Sequence, residues 1–269
     1  MSTTAAAAAA AADAEPPPPR PTRSLAGKVA IVTGAGARDR AIGNGRAAAL
    51  LLAEAGAAVV CADVDLAAAR TTAAMVGEGG GRAVAVAADV AAEEGCAGVV
   101  REALAAFGRV DVLVNNVGVM GARGTATEVD FGEWAEGMRV NVASMVMMAK
   151  AAIPVMERND PAENDGFYRG AIVNVGSVAG MRGGTPSLLY PTAKGAVINM
   201  TRAMAFHHAP QGIRVNCVCP GMLYTPMMYG PGMTPEMREA RKNRSLLKTE
   251  GNGWDTGAAV RFLAGNESR

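Results

Sequence analysis

Residues 28–55 constrain the fold more than any other stretch. Residues 28–33 read Lys-Val-Ala-Ile-Val-Thr, apolar enough for a buried strand. They run straight into Gly-Ala-Gly-Ala-Arg-Asp-Arg-Ala-Ile-Gly-Asn-Gly, which ends at Gly45, and then into an alanine- and leucine-rich helix to about Ala55. Glycine lets a backbone turn sharply and come close to a pyrophosphate. The helix that follows offers free N–H groups and the positive end of its dipole. A glycine loop between strand and helix therefore predicts a nucleotide-binding βα unit.

The same alternation continues. Residues 57–62 form a second predicted strand ending at Asp63, and residues 83–87 a third, followed by Asp89 and Val90. Residues 110–114 form a fourth, followed by Asn115-Asn116-Val117-Gly118. Residues 171–176 and 214–219 supply two more. Helical patterns separate them, including a long one over 131–158, and residues 159–170 read as a polar surface loop. Strands alternating with helices at this spacing predict an α/β, doubly wound parallel sheet in a single domain, with its ligand crevice at the strand C-termini. An acid at the end of the second strand suits the two ribose hydroxyls of NAD and repels a 2′-phosphate. Asp63 fills that place, with Asp65 as its neighbour. Arg38 and Arg40 pull toward NADP, but their place is less defined.

Residues 177–194 carry the chemistry. Ser177 stands at the mouth of the fifth strand. Past Tyr190 the pattern turns helical, with Ala193, Val197, Met200 and Met204 on one face. Tyr190 and Lys194 are one helical turn apart and share a side. A free phenol titrates near 10. A neighbouring ammonium favours phenolate, so the pair can exchange a proton near neutrality while the Ser177 hydroxyl holds a substrate oxygen.

Other features mostly exclude. Half of the 269 residues are hydrophobic, and the net charge is +1 without a basic block, so nucleic acid is not an expected partner. No run of about 18 apolar residues suggests a membrane span. Cys61, Cys96, Cys217 and Cys219 lack Cys-x-x-Cys spacing and predict reduced thiols in a cytoplasmic protein, with no metal site. His207 and His208 adjoin near a helix end and read as surface residues. Residues 1–24, with an alanine run at 5–12 and prolines at 16–19, read as a disordered tail before a domain over 25–269.

Taken together, these residues resemble the short-chain dehydrogenase/reductase family over about residues 25–265. The resemblance implies a Rossmann-like fold and hydride transfer between NAD and a secondary alcohol or ketone. It implies catalysis by Ser177, Tyr190 and Lys194, with Asn141 helping to hold a water beside the lysine. It implies cofactor contacts from Gly34, Ile42, Gly43, Asp63, Asp89, Val90, Asn116, Tyr190, Lys194, Pro220, Gly221 and Thr225. In this alignment Ala41-Ile42-Gly43 stands for the family's Gly-Ile-Gly. The loop is then about three residues long by excess, and Gly36 and Gly45 weigh less than Gly34 and Gly43. The family also ends in a further strand, but here the sequence stops at Arg269 after a helix near 255–263. A helix-paired homodimer or homotetramer is expected to lose any contact made by that strand. An enoyl reductase, or a nucleotide-binding protein of weak activity, is the alternative. Met120, Met181, Met222, Leu223, Met227 and Met228 surround the expected site. They favour a medium-sized apolar or cyclic substrate over an anionic one, with Arg182 as the contrary cation. Residues 222–244, punctuated by Gly230, Pro231, Gly232 and Pro235, read as a lid.

Overall fold

The structure, a computed structural model, describes residues 20–164 and 166–269. Most of the expected tail lies outside the described residues. Six parallel strands form one sheet in the order β3-β2-β1-β4-β5-β6. They are β1 (Val29–Thr33), β2 (Ala58–Asp63), β3 (Arg82–Ala87), β4 (Val112–Asn115), β5 (Gly170–Val175) and β6 (Ile213–Val218). The expected strands shift by one or two residues at their ends. The helices are α1 (Asn44–Glu54), α2 (Leu66–Glu78), α3 (Glu93–Phe107), α4 (Phe131–Met156), α5 (Leu189–His208), α6 (Pro226–Tyr229), α7 (Pro235–Lys242) and α8 (Gly253–Ala264).

Strand alternation sorts the apolar residues onto two faces. Ala30, Val32, Val59, Cys61, Val114 and Val173 pack against α1, α2 and α8. Ile31, Val60, Leu113, Ile172 and Val215 pack against α3, α4 and α5. Because both faces are covered, the strands read as continuous apolar runs rather than alternating ones. The connections diverge from β1, which pairs with β2 on one side and β4 on the other. That divergence opens a crevice at the C-terminal ends of β1 and β4.

Close backbone contacts fix the first layer. A Cβ on Gly257 of α8 would fall 2.8 Å from the Ala47 carbonyl carbon, and one on Gly253 would fall 2.9 Å from the Gly43 carbonyl oxygen. Neither position admits a side chain, so α8 lies directly on α1.

By length and composition alone α4 is long and apolar enough to cross a membrane, a test that a core helix also passes. Here Met148, Ala149, Ala152 and Met156 bury into the second core. A π turn at Arg139–Ala143 widens the helix midway. Beyond β6 no further strand lies among the described residues. Arg214 on β6 instead reaches the end of α8, donating to the carbonyls of Leu263 (3.0 Å), Gly265 (3.1 Å) and Ser268 (3.1 Å). Its guanidinium also stacks 4.3 Å from the Tyr168 ring centroid.

Candidate active site

The crevice forms a cleft of about 320 Å³ lined from the glycine loop to α7. On the nucleotide side the loop is shaped by crowding. Gly34 has φ +63°, and a Cβ there would sit 3.0 Å from Asn116 Nδ2. A Cβ on Gly36 would meet Asp63 Oδ2 at 2.8 Å, and one on Gly45 would meet the Gly34 carbonyl oxygen at 2.1 Å. Gly43, the N-cap of α1, would meet only Ala37 Cβ at 3.6 Å. Sterically the demanding glycines are therefore Gly34, which the sequence reading ranked higher, and Gly36 and Gly45, which it ranked lower, although Gly43 also lines the cleft.

A buried guanidinium explains the stretched loop. Arg46 is fully buried. Its Nη1 donates to the carbonyls of Asp39 (2.8 Å) and Ala41 (2.7 Å), and its Nη2 to that of Ala37 (2.9 Å). Its Nε donates to Thr72 Oγ1 at 2.9 Å, and that hydroxyl donates to the Ala35 carbonyl at 2.8 Å. The inserted residues wrap one cation with inward carbonyls. Sequence reasoning missed Arg46. Its only signal is a lone arginine at the start of an otherwise apolar helix.

Asp63 stands beside the loop. Its Oδ2 accepts from Gly36 N at 2.8 Å and its Oδ1 from Asp65 N at 3.0 Å. Asp65 caps α2 through Oδ1, which accepts from both Ala67 N and Ala68 N. Arg40 turns to Glu78, with contacts of 3.1 and 2.6 Å. Asn116, Pro220, Gly221 and Thr225 line the cleft as expected. Four of the expected cofactor residues do not line it: Asp63 bonds the loop at Gly36 N instead, and the other three have their side chains elsewhere. Ile42 packs against the first core. Asp89 bonds Ala91 N at 2.9 Å and pairs with Arg139 at 3.6 Å. Val90 is buried in the second core.

This half fits a dinucleotide. The first N–H groups of α1 have no side-chain cap. Asn44 lines the cleft with a buried Oδ1 that has no partner. The glycines leave backbone bare where a phosphate would approach.

Ser177, Tyr190 and Lys194 converge on the same cleft. Ser177 follows β5 and its Oγ accepts from Ala179 N at 3.1 Å, starting the 3₁₀ turn Val178–Met181. Within that turn a Cβ on Gly180 would lie 2.4 Å from the Lys194 carbonyl carbon, so the turn rests on the backbone of α5. Lys194 is buried, and its Nζ donates to the Val175 carbonyl at 2.8 Å. Burial lowers its pKa to about 8, opposed by the Cys217 and Cys219 thiols. Between about pH 8 and its ordinary value near 10.5, the unfolded chain holds more protons there, so this group makes stability rise with pH.

Tyr190 departs from the expectation. Burial pushes its phenol up, and the Ser177 hydroxyl draws it back by hydrogen bonding. Lys194 Nζ lies 5.9 Å from the ring centroid and is already bonded to a carbonyl, so burial outweighs the ammonium here.

Asn141 is fully buried in the π turn of α4. Its Oδ1 accepts from Val119 N (3.0 Å), and its Nδ2 donates to the carbonyls of Val119 (3.0 Å) and Gly137 (2.8 Å). The side chain thus clamps the segment after β4. A Cβ on Gly118 would fall 3.0 Å from Asn141 Oδ1 and 3.2 Å from Lys194 Nζ, so Gly118 separates the two.

Two further features escaped the sequence reading. Cys217 and Cys219 bring their sulfurs within 3.7 Å beside Gly176, and burial pushes the Cys217 thiol up to about 11. Arg241, on α7, lines the cleft with Leu223, Met227 and Met228, whereas Arg182 does not.

A family model described as enoyl-(acyl carrier protein) reductase matches residues 36–269. The cis-4-hydroxycyclohexanecarboxylate dehydrogenase of Sinomonas cyclohexanicum is 35% identical over 241 residues, covering 90% of each chain. A solved short-chain dehydrogenase/reductase from Burkholderia xenovorans is 38% identical with a TM-score of 0.81, covering 91% of each chain. A solved 7α-hydroxysteroid dehydrogenase, complexed with NADH and a 7-oxo bile acid, is 29% identical with a TM-score of 0.81, covering 91% of this chain and 90% of that one. The chain belongs to the short-chain dehydrogenase/reductase family. It is an NAD(P)-dependent oxidoreductase.

Proposed function

We propose that the chain interconverts a secondary alcohol and its ketone with NAD as the preferred carrier. The carrying observation is the convergence of Ser177, Tyr190 and Lys194 on one cleft. When bound, the nicotinamide supplies hydride transfer to or from the carbinol carbon. Gly34, Gly36, Gly43, Gly45 and Asn116 would hold it on the phosphate side, and Pro220, Gly221 and Thr225 on the other. The Ser177 hydroxyl donates to the substrate oxygen. Tyr190 takes the hydroxyl proton in oxidation and returns it in reduction. Lys194, held by the Val175 carbonyl, supplies positive charge near the phenol and orients the cofactor ribose. Asn141 positions the segment at Gly118 beside Lys194 and holds the relay water. Asp89 and Val90 remain candidate adenine contacts through groups outside the main cleft.

Asp63 supports the preference for NAD because it lies beside the phosphate loop, while Arg40 is engaged by Glu78. Screening secondary alcohols with NAD and NADP, read at the reduced-nicotinamide band, tests both claims. NAD should be preferred, and Asp63→Ala should narrow the gap. An unmodified protein that prefers NADP refutes the Asp63 reading.

The family model's description favours a second reading, an enoyl reductase. Consumption of NADH by an enoyl thioester, without turnover of any ketone, would establish it. A cytoplasmic site of action accords with four free thiols. A homodimer through α4 and α5 accords with exposed Phe131, Val146 and Phe206, and sedimentation would distinguish it from a monomer.

A further inference from the structure

Arg241 is a cation at the cleft without an anion. Among the described residues, no carboxylate lies within ion-pair distance of it. The nearby candidate is Glu250, whose Oε1 is bonded by Arg238. Arg238 in turn stacks over the Tyr224 ring at 3.7 Å. The other lid cations are also placed elsewhere. Lys242 pairs with Glu239 at 3.6 Å, and Arg244 donates to the Gly184 carbonyl at 3.2 Å.

Arg241 makes one hydrogen bond, from Nη2 to the Leu223 carbonyl at 3.3 Å. A guanidinium has five N–H donors in a planar fork that matches a carboxylate. The remaining donors belong to a half-buried group whose pKa burial lowers; Glu250 opposes that from outside ion-pair distance and the Arg244 cation adds to it, so an anion bonded there would relieve a desolvated charge. The surrounding wall is apolar, with Leu223, Met227 and Met228. The reacting end of the same cleft holds Ser177, Tyr190 and Lys194.

We propose that Arg241 receives an acidic group on the substrate, so that the chain acts on secondary alcohols or ketones carrying a carboxylate or sulfonate beyond an apolar spacer. This rests on the cleft being the oxidoreductase site, and it revises the sequence-based preference for a substrate without charge. The apolar part of that expectation is kept, because Met227 and Met228 line the cleft, although Met120, Met181 and Met222 do not. The bond to Leu223 is also structural, since it ties α7 to the segment after β6. The test therefore has to isolate charge from lid folding.

The experiment is calorimetric binding to the NADH-loaded protein, which needs no turnover. The probes are matched pairs: 4-oxocyclohexanecarboxylate with its carboxamide, and 3-oxobutanoate with 3-oxobutanamide. The acid of at least one pair should bind roughly tenfold or more tightly than its amide, as a charge-assisted fork implies. Arg241→Gln should bring that ratio near one, Arg241→Lys should keep much of it, and NADH affinity should stay within about twofold. Acids that bind no better than their amides, including no measurable binding of either, overturn the proposal. So does a preference that survives Arg241→Gln, or a loss of NADH affinity as large as the loss of acid binding, which would assign Arg241 to the cofactor. Failure of the redox reading would show separately, as an absence of hydride transfer with every alcohol and ketone.

Discussion

The two walls of the cleft are built in opposite ways. The glycine loop and α1 are fixed by backbone. Ala47, Ala48, Ala49 and Leu52 are essentially inaccessible, and Arg46 holds three loop carbonyls from within. The backbone of the lid is tied at its feet, where Tyr224 N donates to the Gly251 carbonyl at 2.8 Å and Gly251 N to that of Met222 at 3.0 Å, and elsewhere it is held by side chains such as Arg241 and Arg244. Between those feet α7 buries no residue, and Leu246 and Leu247 are 98% and 82% exposed. A phosphate site needs the same geometry for every substrate, so steric exclusion can define it. A substrate site has to open, so it is made of side chains on a weakly held segment.

This contrast predicts where substitution hurts. Arg46→Met should do the most damage, leaving three part-buried carbonyls and the Thr72 hydroxyl without their donor and costing about 2–4 kcal/mol in all, since each polar group left unpaired costs up to about 1–3 kcal/mol. Chemical denaturation measures it, and a loss below about 1 kcal/mol would mean that the loop holds itself. Gly45→Ala comes next. Its Cβ has no room against the Gly34 carbonyl, so about 1–3 kcal/mol of stability and most nicotinamide binding should go. Gly43→Ala, with its nearest neighbour at 3.6 Å, should be far milder. Equal effects would erase the steric distinction between the two glycines.

The smallest effect belongs to the lid. Leu246→Ser with Leu247→Ser should change stability by no more than about 0.5 kcal/mol, because neither side chain is covered. Proteolysis within residues 225–250 should nonetheless slow when NADH and a bound ketone are both present. Cleavage indifferent to both would make the segment an ordinary surface loop.

The sequence carried the backbone-defined wall well. The parallel strands, and on the other wall the Ser177, Tyr190 and Lys194 set, follow from local pattern, because buried strands and a helical four-residue spacing write themselves into adjacent residues. Long-range side-chain partners do not. Arg46 looked like any helix arginine, because its acceptors are carbonyls, which every residue has. Arg241 had no visible meaning until Glu250 was seen to belong to Arg238. Asp89 and Val90 follow from the resemblance, whereas their side chains bond the turn at Ala91 N and pack in the second core, which no local pattern shows. The expected lowering of the Tyr190 pKa meets an opposing effect that local spacing does not show: the phenol is buried, which pushes it up, while the Val175 carbonyl holds the ammonium.

The central claim is that Tyr190 moves the proton at a site whose cofactor wall is independent of it. Single-turnover hydride transfer in Tyr190→Phe, alongside the NADH dissociation constant of the same protein, tests it directly. The account predicts transfer slower by roughly 10²–10⁴ with NADH binding nearly unchanged. Transfer at the unmodified rate would contradict it.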